Sequence, residues 1–130
     1  MSQTIKTTVL TNENDILIAP ELAVGLPVIV DDAEVVANSE SKKIILAGTP
    51  LYAAASPLED RDAKLVITAG ALTCYGLARH DIDVTDGDTN DTLLIAGYVD
   101  LSKLDSTVVA LITSDIKTAL PAVKFIQGVE

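Results

Sequence analysis

Between Leu72 and Val99 the chain reads LTCYGLARHDIDVTDGDTNDTLLIAGYV, two apolar-rich runs on either side of the acidic stretch Asp86-Gly87-Asp88-Thr89-Asn90-Asp91. Gly, Asp and Asn tolerate the backbone angles of a tight turn, so the stretch reads as strand, turn, strand. From Gly76 the side chains alternate. Ala78, His80, Ile82 and Val84 fall on one face, and Arg79, Asp81 and Asp83 on the other, which predicts a half-buried strand over Gly76–Val84. In the second run Leu93, Ile95 and Val99 point one way and Leu94, Ala96 and Tyr98 the other. A strand apolar on both faces has to be covered on both. Gly97 within it permits a bulge or a close backbone approach.

The rest of the chain fits around that pair. With 130 residues it is long enough for one domain with its own core. Its apolar residues are mainly Ala, Val, Leu and Ile, with one Phe and no Trp, a composition suited to sheets rather than to an aromatic-lined pocket. Ile16–Ala19 and Leu26–Val30 are short apolar runs, and Pro27 restricts the second to an edge strand or an extended crossing segment. Gly48 and Pro50 break the run that starts at Lys42, residues 53–63 form a loop, and Leu65–Ile67 is a short strand. Val108, Leu111, Ile112 and Ala119 have near-helical spacing, with a start near Asp105 or near Thr113 and a stop at Pro121. Residues 122–128 close the chain as a last strand. The expectation is a β-rich α+β fold with one short C-terminal helix, as a single globular domain over 19–130.

Residues 1–18 read as an arm. Thr4, Thr7, Thr8 and Thr11 are interspersed with Ile5, Val9 and Leu10, too little apolar surface to order alone but well suited to adding a strand to another sheet. The alternative is a frayed terminus or an edge strand of the domain itself. Ile5, Thr7, Thr8, Val9 and Leu10 are the candidate binding residues.

Charge narrows the partners. Nine Lys and Arg against 19 Asp and Glu give −10, which opposes nucleic acid and anionic membranes and leaves room for a basic protein surface. One cysteine rules out an internal disulfide. The N-terminal stretch lacks a basic region followed by an apolar core, and no run approaches a membrane span. The chain is expected to be made in the cytosol and to stay soluble.

No catalytic or metal constellation emerges from the motifs. With Gly87 at the sixth position of an EF-hand loop, Ile82 and Val84 fall where ligands belong. Starting at Asp86 instead puts Asp91 at the glycine position. His80 and Asp81 are strand neighbours and point apart, so His80 reads as a hydrogen-bonded histidine at a core or subunit boundary. Cys74, with no partner motif, reads as a small buried hydrophobe. Gly-x-Ser-x-Gly and phosphate-loop motifs are absent, and the 86–91 tip has no lysine for a lipoyl or biotinyl group. No enzyme, cofactor or metal is expected.

One resemblance rests on the order of elements. Ile45-Leu46-Ala47-Gly48-Thr49-Pro50-Leu51-Tyr52 is followed by Gly76–Val84, then Asp86-Gly87, the apolar strand Leu93–Val99 with Gly97, a leucine-containing connection, and a helix ending Ala119-Leu120-Pro121 before Val123-Lys124-Phe125-Ile126. That order, from about residue 45 to the C-terminus, is similar to tailed-phage head decoration proteins of the lambda head-stabilisation type. The resemblance implies a small barrel-like or tulip-like fold that forms a homotrimer on the outer surface of the expanded capsid at three-fold positions. It also implies that the N-terminal arm adds a strand to the major capsid protein. The arm and the two broken runs before Asp31 look longer than in compact members. An alternative from another class is an acidic ligand-binding or adhesion module with a calcium site at residues 86–91.

Overall fold

The computed structural model describes residues 16–32 and 34–126. Its organising strand is β7, Thr89–Asp100, the second half of the stretch singled out above. On one side β7 pairs antiparallel with β1 (Val24–Val30); on the other it pairs antiparallel with β5 (Thr73–Ala78) and, further along, parallel with β8 (Val123–Ile126). Beyond β5 lies β3 (Pro50–Ala53), and beyond β1 lies β4 (Lys64–Leu65). The two outermost strands then meet: Tyr52 and Val66 exchange both backbone hydrogen bonds, each 2.8 Å long. The sheet β3-β5-β7-β1-β4 therefore closes into a five-stranded barrel.

The interior is filled by aliphatic side chains from all five strands: Val28 and Val30, Leu51 and Ala53, Leu65, Ala78, and Leu93. A two-stranded ladder of β2 (Ile44–Ile45) and β6 (Ile82–Asp83) adds Ile45 and Ile82, with Val84 and Val35, to the same core. Two bridge hydrogen bonds contribute about 1 kcal/mol each, whereas each buried aliphatic chain contributes about 1.5–3 kcal/mol. The packed interior, not the bridge, keeps the barrel shut.

A second core lies on the outer face of the barrel. Helix α1 (Ser106–Leu111) and helix α2 (Ser114–Ala119) lay Val108, Ile112, Ile116 and Leu120 over Cys74, Leu77, Leu94 and Val99. The expected single helix is thus two, interrupted at Ile112–Thr113. Both candidate starts are used: Asp105 caps α1 by accepting from the Thr107 amide (3.0 Å), and Thr113 sits at the cap of α2 without a side-chain bond. The buried stripe runs at four-residue intervals, so Leu111 and Ala119, expected on it, are exposed.

Two bulges rework the predicted alternation. Gly25 pairs with Leu94 and Val24 with Ala96, leaving Ile95 as an extra residue in β7. Leu51 pairs with Gly76 and Tyr52 with Cys74, leaving Tyr75 extra in β5. Each inserted residue shifts the two-residue period by one. Val99 therefore joins Leu94 on the helix side instead of sharing a face with Leu93, and Cys74 joins Leu77. The strand expected over Gly76–Val84 is also divided. It bends at Arg79–His80, and Ile82–Asp83 leave the barrel sheet to pair with Ile44–Ile45. His80 is exposed in that bend rather than at a core boundary.

Pro27 does not confine its run to an edge. It lies in the part of β1 flanked by β7 alone, because β4 reaches only Ile29 and Val30. Ile16–Ile18, assigned to the arm from sequence, belong to the packed domain. Ile16 and Leu17 are buried, the Asp100 amide donates to the Ile16 carbonyl (2.8 Å), and the Ile18 amide donates to the Tyr98 carbonyl (3.0 Å). Ile5, Thr7, Thr8, Val9 and Leu10 lie outside the described residues.

Gly76 of β5 lies hard against β7. A Cβ there would stand 2.6 Å from the Leu94 carbonyl oxygen and 2.7 Å from Leu93 Cγ. Because the first obstacle is backbone, Gly76→Ala is expected to destabilise the domain by about 1–3 kcal/mol, read as a lowered urea midpoint at unchanged slope.

Candidate functional site

The acidic turn is built by short-range bonds. Asp83 accepts from the Thr85 amide (2.9 Å), the Gly87 amide donates to the Val84 carbonyl (3.1 Å), and Gly87 takes a positive φ of 119° that suits glycine. Hydrogen bonds from Thr85 hold the Asp83 carboxyl below the usual carboxylate range. The Thr85 hydroxyl in turn accepts from the Lys43 amide (2.9 Å), tying the turn to the residue that leads into β2.

Of the tip residues, only Asp88 joins a larger constellation. Its carboxylate, with those of Asp31 and Asp32 at the end of β1, forms a group whose oxygens lie within 4.8 Å of one another. Lys64 Nζ is 2.6 Å from Asp88 Oδ2, and Lys43 Nζ is 3.4 Å from Asp32 Oδ2. Asp86 and Asn90 are exposed, and Asp91 turns back to accept from the Thr92 amide (2.7 Å). Three carboxylates at this spacing suit a hard cation, which takes oxygen ligands. Here two ammonium groups supply the positive charge, and the group acts as a latch joining the end of β1, β4 and the tip. The Asp31–Asp32 half of the group was missed in sequence, because 56 residues separate Asp32 from Asp88.

The other candidates are dispersed. Asp81 accepts from the Ala47 amide (2.8 Å), which fixes the bend beside the exposed His80. Cys74 is buried, its sulfur 3.5 Å from the Gly76 carbonyl oxygen, and burial pushes the thiol pKa up. A thiol shifted in that direction is protonated at neutral pH and a poor nucleophile. Burial likewise raises the Tyr52 phenol.

Two surface features had no signal in the sequence. Leu26, Pro57, Leu58, Tyr75, Ile95 and Pro121 line part of a cleft of about 230 Å³ at the level of the two bulges. Ile18, Leu22, Val24 and Tyr98 are all exposed beside the far half of β7. No helix among the described residues is long and apolar enough to cross a membrane. No protein-family model matches the chain, and no curated protein is significantly similar to it in sequence.

The Lys64–Asp88 pair predicts a pH window. The Lys64 hydrogen bond holds Asp88 below the ordinary carboxylate value of 3.8, so its stabilisation is present above 3.8 and lost as pH falls through the lowered value. Asp88 raises Lys64 above 10.5, so that contribution is present below 10.5 and lost as pH rises through the raised value. In Lys64→Met the Asp88 carboxyl resonance should titrate at higher pH than in wild type. Any loss of melting temperature should be confined to the window between the two groups; an unshifted Asp88 titration would rule the latch out.

Proposed function

We propose that this chain is a capsid decoration protein, a homotrimer that binds the outer surface of an expanded phage head at three-fold positions and stabilises it. The observation that carries the reading is the order of short apolar elements from Ile45 to Ile126, which resembles the head-stabilisation proteins of tailed phages. A cement of this kind works by many weak contacts made at once, since linked sites convert later binding events into intramolecular ones. The Thr-rich stretch holding Ile5, Thr7, Thr8, Val9 and Leu10 supplies the strand added to the major capsid protein, where main-chain hydrogen bonds give affinity and demand little of the side chains. The buried Ile16–Leu17 pair, bonded along the end of β7, provides a firm anchor for such an arm.

Deleting residues 1–15 should leave the melting temperature of the domain nearly unchanged and greatly weaken attachment to expanded heads, measured by co-sedimentation. Unchanged attachment would transfer the contact to the globular part. A chain that ignores both expanded and unexpanded heads would end the proposal.

The trio Asp31, Asp32 and Asp88 favours a second reading, an acidic ligand-binding or adhesion module that takes calcium. In that case calcium would have to displace Lys64 and Lys43, and calorimetric titration would give heat together with a raised melting temperature. Absence of both retires this reading.

A further inference from the structure

Among the described residues, the far half of β7 is covered on one face only. Its helix-side face carries Val99 against the second core. On the opposite face register places a row of side chains together: Val24 stands across from Ala96, Ile18 beside Tyr98, and Lys124 of β8 on the other flank of Tyr98. Ile18 is 47% exposed, Val24 49% and Tyr98 40%, and Leu22 at 59% follows from the turn that joins Ile18 to Val24. An apolar sheet face of this kind is stable when another layer covers it.

We propose that this face is where a second copy of the chain docks. The choice of a second copy over a foreign protein comes from the charges at its margins. Lys124 borders the strip on the β8 side, and Glu21 borders it on the opposite side, in the turn before β1. Both are exposed, and neither makes an ion pair among the described residues. A strip with a cation along one margin and an anion along the other is complementary to itself under rotation: each Lys124 meets the Glu21 of the neighbouring copy. A chain of net charge −10 repels its own kind in general, so an apolar strip that carries both signs directs association to itself. Among the described residues β8 pairs only with β7, so its outer backbone edge is available to the neighbour as well. The biological use of the contact rests on the decoration reading above, but the contact itself needs no capsid.

The test is sedimentation velocity of the full chain over a concentration series, with far-UV circular dichroism as the check on folding. Wild type should associate with rising concentration. Lys124→Glu and Glu21→Lys should each weaken association by about fivefold or more, and the double variant, which restores the net charge of −10, should recover it. Tyr98→Ser combined with Val24→Thr should weaken it by about tenfold or more while leaving the spectrum unchanged. A wild type that stays monomeric up to about 1 mM would overturn the inference. So would single reversals without effect, or a double variant no better than the singles. Head binding measured in parallel separates the two claims. A monomer that still binds expanded heads defeats this interface and leaves the decoration reading standing. Association without head binding does the reverse.

Discussion

The burial of β7 on both faces at Leu93–Leu94 is the constraint from which the remaining architecture follows. Leu93 and Leu94 are adjacent in sequence and both fully buried, one inside the barrel and one beneath the helices. Adjacent strand residues point to opposite sides, so such a pair needs two separate covers. The barrel supplies one by curling round through β1, β4, β3 and β5, and the C-terminal helices supply the other. The close approach at Gly76, where β5 leaves no room for a side chain against the Leu94 carbonyl, is the local form of the same demand. Without the tight seam there, the two cores would not share a wall.

What could be read from the residues was what depends on local pattern. The break at Gly48–Pro50 and the stop at Pro121 each follow from side chains close in sequence, and each is found, whereas the double cover expected over Leu93–Val99 holds at Leu93–Leu94 and not at the exposed Tyr98. The β-rich class with helix near the C-terminus was legible for the same reason. The misreadings share another cause. Ile95 and Tyr75 look like ordinary strand residues, and their role as insertions is defined only by the partner strand's register. The period therefore slips where no local signal marks it. His80 is exposed rather than at a core boundary because Ile82 and Asp83 are drawn away by Ile44 and Ile45, a pairing across almost forty residues. The Asp31–Asp32–Asp88 group was hidden likewise, since its members meet only once β1 and β7 have paired.

The acidic groups take on different roles according to what surrounds them. Asp105 and Asp83 are engaged by neighbouring amides and hydroxyls, and their carboxyls are held below the usual range by those bonds. Asp88 is lowered chiefly by a lysine from another strand. Local capping and long-range pairing thus draw on the same residue type, and composition alone does not separate them. The exposed apolar row beside β7 was missed for a related reason: Tyr98 is far from Ile18 and Val24 in sequence, and only the pairing of β7 with Ile16–Ile18 and with β1 sets them together.

The Ile16–Ile18 clasp also has a mechanical side. This segment lies antiparallel to the end of β7, so a tension applied to the chain before Ile16 acts along the strand axis. The Asp100–Ile16 and Ile18–Tyr98 hydrogen bonds then lie across the direction of pull and carry the load together, with the buried Ile16 and Leu17 side chains resisting the same displacement. A join loaded in this manner gives way all at once rather than one bond after another. Load on that segment would pass straight into β7, the longest strand among the described residues.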